Sequence, residues 1–386
     1  MVLRYTEYYE KFACIADKCE DTCCAGWEID IDDESYQNYQ KVQGEFGKRL
    51  RESIREYDAD DSDMYERHGF ILKEGKRCPF LNEKNLCELY QKLGEESLCF
   101  VCTNTPRNFL EIDGVREVLL SPSCGEAGRL LFGSDKKIQF VEKEVSGELD
   151  YCAKGEDREA EHLICAARNQ VVLILQDRAY PLKQRIGQAI CYAKEVQNCL
   201  NEENLQSIKS ISLEEIKERY KETDTAEAQQ YDYFCQRLES FEGMEKINQE
   251  WEQCLIDMHC LFDGEKGMTV YTSCQKKLFD YIEKQGREYE YEHMLVYLSY
   301  LYLARSVDDF NFWGKMQYVI SGYLMMRDMD MVCFLQGKEQ FPVADRVRVS
   351  RIFAKETEHS QDNLDYLEEE FLFEDIYKQE MLFRQI

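Results

Sequence analysis

Cys78-Pro79-Phe80-Leu81, followed by Cys87 and then by Cys99 and Cys102, is the stretch from which the rest of this chain is read. Upstream stand Cys14, Cys19, Cys23 and Cys24. Downstream, Cys124 lies in Ser121-Pro122-Ser123-Cys124-Gly125-Glu126. Half of the 18 cysteines therefore fall in the first 124 residues, at separations short enough to close tight loops. Four thiolates so spaced wrap a zinc ion or an iron–sulfur cluster without strain. Both metals accept thiolate, so spacing does not choose between them.

Met1-Val2-Leu3-Arg4-Tyr5-Thr6-Glu7 has no apolar core and no small-residue cleavage site, so no secretion signal is read there. A cytoplasmic location follows as the expectation. In reducing cytosol, clustered cysteines point to metal or catalysis rather than disulfides. The adjacent Cys23 and Cys24 are also awkward for a disulfide framework. Cys19, Cys23, Cys24, Cys78, Cys87 and Cys99 rank first as metal ligands, then Cys14, Cys102 and Cys124. Nine exceeds the needs of one tetrahedral site, so some lie behind the ligands or two metals are bound. The later cysteines are scattered singly and read as core fillers.

The chain's 386 residues suffice for two or three domains. A formal net charge of −28, with no basic block, argues against nucleic acid as partner. No run reaches the roughly 20 apolar residues that span a bilayer, so no membrane partner is expected. Met294–Ala304 reads as a buried helix.

The fold expected is mainly α: a small cysteine-rich metal- or cluster-binding module with a β-hairpin over 1–135, a linker over 136–160, and an all-helical domain over 161–386. The hairpin is read at 108–120, where Asp113-Gly114 supplies the positive backbone angles of a two-residue turn. A short strand is expected at Trp27–Ile31 and a short helix at Gly125–Phe132. That helix would begin just after Cys124 and favour its thiolate. Helical spacing from Leu163 to Leu175, broken at Tyr180-Pro181-Leu182, predicts a helical hairpin. Ser212 has capping-box spacing to Glu215. The segment 201–230 is the least hydrophobic. Further helices are expected at 231–262, 268–286, 288–305, 310–335 and 344–356, with a terminal one from Asp365.

The pattern resembles the flagellin lysine-N-methylase (FliB) family. The likeness rests on Phe12, Cys14, Ile15, Asp17, Cys19, Asp21, Thr22, Cys23, Cys24, Gly26 and Trp27 at the start. It continues through Cys78-Pro79-Phe80-Leu81, Cys87, Tyr90, Leu93-Gly94-Glu95, Leu98-Cys99, Cys102 and Pro106-Arg107. Ser123-Cys124, Glu126-Ala127 and Arg129 follow, with Arg178, Tyr180-Pro181-Leu182 and Arg185 in the helical half. It is dense over 1–135 and thin after 185. Gly125 stands where the family places proline, and Thr103 and Thr105 where it places an arginine and an aromatic. The cysteine pattern is also similar to the broader YkgJ-type zinc- or iron-chelating domain.

The resemblance implies a protein-lysine N-methyltransferase that uses S-adenosylmethionine, acts on flagellin and holds an iron–sulfur cluster of the 4Fe-4S type, zinc being the alternative. The alternative function is a non-enzymatic zinc- or iron-chelating interaction scaffold; a redox sensor is a third reading. No Gly-x-Gly-x-x-Gly run follows a strand, so a doubly wound cofactor domain is not expected. Cys19-x3-Cys23 begins like a radical-SAM triad, but Gly26 takes the third place. An iron with an open site, held by distant cysteines, is one way to bind the cofactor's methionine end. Catalytic residues, general base and oligomeric state are not assigned. Tyr231/Tyr233 and Tyr289/Tyr291 read as core or helix surface. His68, His162, His259, His293 and His359 read as isolated. Asp58–Asp63 lacks a calcium loop's glycine and glutamate, and Asp30–Glu34 reads as a helix start.

Overall fold

Asp113 (φ 52) and Gly114 (φ 73) adopt the left-handed backbone that a two-residue hairpin turn needs. The computed structural model describes residues 1–19, 21–57 and 66–386; the acidic run Asp58–Asp63 lies outside them. The strands are Val2–Thr6 (β1), Asp30–Ile31 (β2), Ile54–Glu56 (β3), His68–Phe70 (β4), Arg107–Ile112 (β5), Val115–Leu120 (β6) and Phe140–Glu144 (β7). They form two sheets, ordered β5-β6-β1-β7 and β2-β4-β3. β1 runs parallel to β6 and antiparallel to β7, so Val2 faces Val115 on one side and Glu144 on the other.

The chain divides into two compact units. A cysteine-rich unit comprises 11–108 and 120–128, and a helical unit comprises 1–10, 109–119 and 129–386. The segment 136–160 contains β7 and the first residues of the long helix beginning at Glu156.

In the cysteine-rich unit the helices are Asp33–Lys41 (α1), Gly44–Glu52 (α2), Glu88–Leu93 (α3) and Phe100–Asn104 (α4); Gly125–Leu131 (α5) leads out of it. Asp32 caps α1, its carboxylate accepting from the Ser35 amide at 2.9 Å, as the acidic run predicts. The other carboxylate oxygen accepts from the Phe100 amide at 2.7 Å and so also starts α4. Phe80 is fully buried between Phe46 and Phe70, and such a side chain contributes about 2–3 kcal/mol. Cys78 and Cys99 are buried within this same small core.

The helical unit continues with Glu156–Leu175 (α6), Leu182–Asn201 (α7), Leu213–Arg219 (α8), Glu227–Glu242 (α9), Gln249–Phe262 (α10), Gly267–Lys284 (α11), Tyr289–Tyr302 (α12), Phe312–Gln336 (α13), Val343–Glu358 (α14), Gln361–Phe373 (α15) and Gln379–Gln385 (α16). Pro181 opens α7, and Ser212 accepts from the Glu215 amide to open α8, both as the sequence indicates. The run 231–262 is two helices. α9 ends at Gly243, where a Cβ would fall 1.9 Å from the Tyr366 hydroxyl, and Asn248 caps α10. α12 and α13 are buried nearly all round and form the centre of the unit. Among the described residues no helix is long and apolar enough to cross a membrane.

Several charges inside this core are matched. Glu117 on β6 receives both Nη atoms of the buried Arg168, at 2.6 and 2.8 Å, and the hydroxyl of Tyr300 at 2.8 Å. Arg4 on β1 adds a fourth contact at 2.7 Å. The four arginine and tyrosine bonds hold the Glu117 carboxyl below the usual range against the opposing effect of burial. Arg237 likewise meets Asp328, and Arg346 meets Asp330 and Glu290.

Candidate functional site

All nine N-terminal cysteines belong to the cysteine-rich unit, and all 18 cysteines of the chain are free thiols. Backbone pairing brings distant ones together. The Cys78 amide donates to the Cys24 carbonyl at 2.8 Å, beside a bridge between Ala25 and Arg77. Leu81 pairs with Cys87 across the loop between them, and the Glu88 amide donates to the Phe80 carbonyl. Cys19 follows the short turn Ala16–Lys18, and Cys23 sits in a separate turn whose carbonyl accepts from the Trp27 indole at 2.7 Å.

The thiols fall into two sets by which sulfurs feel one another. Burial pushes Cys78 up to about 12, with Cys24, Cys87 and Cys99 adding to the shift. Cys102 is raised by its hydrogen bond with Cys99 and by burial, and it also senses Cys24 and Cys78. Cys24, Cys78, Cys87, Cys99 and Cys102 thus make one set. Cys124 is raised by burial and by Cys19 and Cys14, and Cys23 in turn senses Cys124 and Cys14. Cys14, Cys19, Cys23 and Cys124 make the other. The neighbours Cys23 and Cys24 join the two sets. Their sulfurs share a hydrogen bond that draws Cys24 down to about 7 and raises Cys23.

Three of these cysteines stand where a short helix begins: Cys87 before α3, Cys99 before α4 and Cys124 before α5. First-turn amides partly offset the burial of each, those of Tyr90 and Leu89 at Cys87 and those of Ala127 and Glu126 at Cys124. The orientation favours thiolate, the form that ligates a soft metal. Among the described residues no three His, Cys, Asp or Glu side chains are already arranged to hold an ion. The donor chemistry and the packing of Cys24, Cys78, Cys87, Cys99 and Cys102 against one core fit a thiolate-bound metal or cluster.

The helical unit carries a second feature, a groove of about 1030 Å³ between α7, α11, α12 and α13. Arg178, Tyr180, Pro181, Leu182 and Arg185, the residues of the helical-half motif, all line it. Arg178 donates to Glu292 through Nε at 2.8 Å and Nη2 at 2.8 Å, and Arg185 donates to the same carboxylate at 2.5 Å. The motif therefore builds a wall of the groove around one fully buried glutamate. Tyr289 and Tyr291 also line it, and the Tyr291 hydroxyl donates to Asp330 at 2.9 Å. Burial raises Asp330 to about 7 despite Arg346 and Tyr291, which pull it down.

None of the five histidines joins the thiols. His293 is buried between the Leu131 and Lys136 carbonyls, and His68 stacks on Tyr36. His259 is not isolated, lying 2.6 Å from Glu242 and 2.8 Å from Asp263.

A cysteine-rich unit coupled in one chain to a helical unit with a motif-lined groove defines the class. The family model for the FliB lysine N-methylase C-terminal domain matches residues 168–383. The chain belongs to that family. The matched stretch is the helical half, where the motif likeness is thinnest. The chain is 24% identical over 144 residues to a lysine-N-methylase of Salmonella typhimurium, covering 36% of this chain and 34% of that protein. It is 24% identical over 162 residues to the flagellar biosynthetic protein FliU of Salmonella muenchen, covering 40% of this chain and 92% of that one. A lysine-N-methylase of Salmonella choleraesuis matches at 24% over 140 residues. The chain thus spans about a third of the length of the lysine-N-methylases it matches. No solved structure matches.

Proposed function

We propose that this protein methylates lysine side chains of flagellin, taking the methyl group from S-adenosylmethionine, and that its N-terminal cysteines hold an iron–sulfur cluster. Family membership supports the lysine chemistry, and the name of the FliU relative supports a flagellar substrate. The observation that carries the cluster is that Cys24, Cys78, Cys87, Cys99 and Cys102, remote in sequence, meet in one small core, with Cys124 near enough to Cys14 and Cys19 to be raised by them. Cys24, Cys78, Cys87, Cys99 and Cys102 would hold one group, and Cys14, Cys19, Cys23 and Cys124 a second. A bound cluster supplies one-electron chemistry.

In the transfer itself a C–N bond forms to the lysine ε-nitrogen while the donor's S–CH3 bond breaks, releasing S-adenosylhomocysteine. The amine must first lose a proton, since its ordinary pKa is about 10.4. The exposed carboxylates at the groove's mouth, Glu227, Asp280, Glu283 and Glu288, attract a basic peptide. This supports the helical unit as the side that meets protein substrate.

The test is anaerobic purification with iron, sulfide and zinc analysis, followed by incubation with flagellin and S-adenosylmethionine and mass spectrometry of the flagellin. Iron and sulfide in cluster ratio together with methylated lysines uphold the reading. Zinc alone, without methylation, replaces it with the chelating scaffold.

A further inference from the structure

The groove floor holds a buried cation with neutral partners, the Gln385 carbonyl and the Tyr323 hydroxyl, but with no ion pair among the described residues. Arg327, on α13, is 3% exposed and lines the groove. Its Nη1 donates to the Gln385 carbonyl at 2.9 Å, and its Nε is buried without any hydrogen bond. The adjacent Asp328 is taken by Arg237 and by the Tyr271 hydroxyl at 3.0 Å. The other buried arginines in and beside the groove each have a carboxylate partner. Arg178 and Arg185 face Glu292 and Glu288, and Arg287 and Arg346 face Glu290 and Asp330. Arg237 and Arg327 share one carboxylate between them, so Arg327 is the surplus charge.

A buried guanidinium left in this state is costly, and an incoming anion relieves the cost. Arginine's planar fork suits a carboxylate or phosphate. The surroundings narrow the choice. Phe279 and Tyr323 place their rings 5.8 and 6.0 Å from the guanidinium carbon, and Phe279 is 38% exposed. The mouth carries the four carboxylates already named. A ligand that fits is anionic at its inner end, cationic further out, and has apolar surface between. A lysine side chain entering end-on would aim its ammonium at Arg327, so this floor does not suit the acceptor.

We infer that Arg327 binds the carboxylate of an amino-acid moiety, and that in the reaction this is the methionyl end of the methyl donor. The second half rests on the proposed use of S-adenosylmethionine. It assigns the methionyl carboxylate to the helical unit and not to a cluster iron.

The full-length protein is titrated with S-adenosylhomocysteine and with 5′-methylthioadenosine, which lacks the amino-acid end. Wild type is expected to prefer the former by roughly 10- to 100-fold, the range of a charged hydrogen bond. Arg327→Met is expected to erase the preference and leave methylthioadenosine affinity unchanged, with Arg327→Lys intermediate. Without ligand, Arg327→Met should melt no lower than wild type, because it removes an unmatched buried charge; a merely structural arginine would lower it. Retention of the preference in Arg327→Met overturns the assignment and leaves the donor reading intact. If neither nucleoside binds, the donor reading falls and L-methionine decides the arginine. A rise in melting temperature seen in wild type and lost in Arg327→Met upholds the carboxylate site, and no rise overturns it.

Discussion

Replacing Glu292 by glutamine keeps the shape of the side chain and removes the charge that two arginines share. Glu292 is fully buried, and Arg185 opposite it has a side chain only 3% exposed. After the change Arg185 keeps the Leu175 carbonyl at 2.5 Å and the half-exposed Glu288 at 3.4 Å. Breaking a buried pair from one side costs about 3–5 kcal/mol, because the remaining charge is stranded. Arg178, with 35% of its side chain in solvent, rehydrates and adds at most about 1 kcal/mol. At roughly 2–4 °C per kcal/mol for a unit of this size, Glu292→Gln should lower the melting temperature by roughly 6–24 °C. The assay is thermal unfolding by circular dichroism, with Arg185→Met and Arg178→Met run in parallel. A loss below about 1 kcal/mol, or an Arg178→Met effect as large as that of Arg185→Met, would refute the argument that burial of the Arg185 partner sets the cost.

Other outcomes follow from the same geometry. Cys124→Ser should release about half of the bound metal and Cys78→Ser the other half, with the double variant losing both, because ligands are lost set by set; complete loss from either single change would sink the two-set division. Gly187→Ala places a methyl group 2.3 Å from the Tyr220 ring and should destabilise by about 1–3 kcal/mol. In a Tyr220→Ala background the same change should stabilise by up to about 1 kcal/mol through helix propensity. Glu242 and Asp263 raise the His259 pKa. The pair's contribution is therefore present below the unfolded value near 6.5 and fades as pH rises through the higher folded one. Solvent screening limits it to a few tenths of a kcal/mol, so His259→Gln should melt slightly lower than wild type at pH 5.5 and equal to it at pH 9.

Much of the fold is legible because local rules act alone. Asp113-Gly114 makes its turn, Asp32 and Ser212 cap their helices, and Pro181 opens α7. The break inside 231–262 is less legible, since Gly243 is fixed by a tyrosine more than a hundred residues away. At the candidate site the cysteines announce themselves by type and spacing, but their partition does not. Cys24 and Cys23 are neighbours in sequence yet fall in different sets, and the ranking by spacing cuts across both. Helix starts behind Cys87 and Cys99 carry the same chemistry as the one read at Cys124, without a proline or glycine to mark them. Tyr289 and Tyr291 look like any half-buried pair in a tyrosine-rich chain. Arg327 is invisible for a stronger reason: its significance is a charge balance, and only the fold says which carboxylates its neighbours have already taken.

The four-stranded sheet of the helical unit is stitched from segments made far apart in time. β1 is translated well before its partners β6 and β7, which emerge more than a hundred residues later. The whole of 11–108, with eight of the nine N-terminal thiols, is synthesised in that interval, and Cys124 joins them only after β6. A fragment starting at residue 168, where the family match begins, would keep Arg168 and discard Glu117 and Arg4. It would inherit a guanidinium in its core with nothing to neutralise it. In this chain the C-terminal half that the family model matches is thus a tenant of a sheet it does not encode, and cutting at the family boundary would sever an ionic knot rather than a hinge.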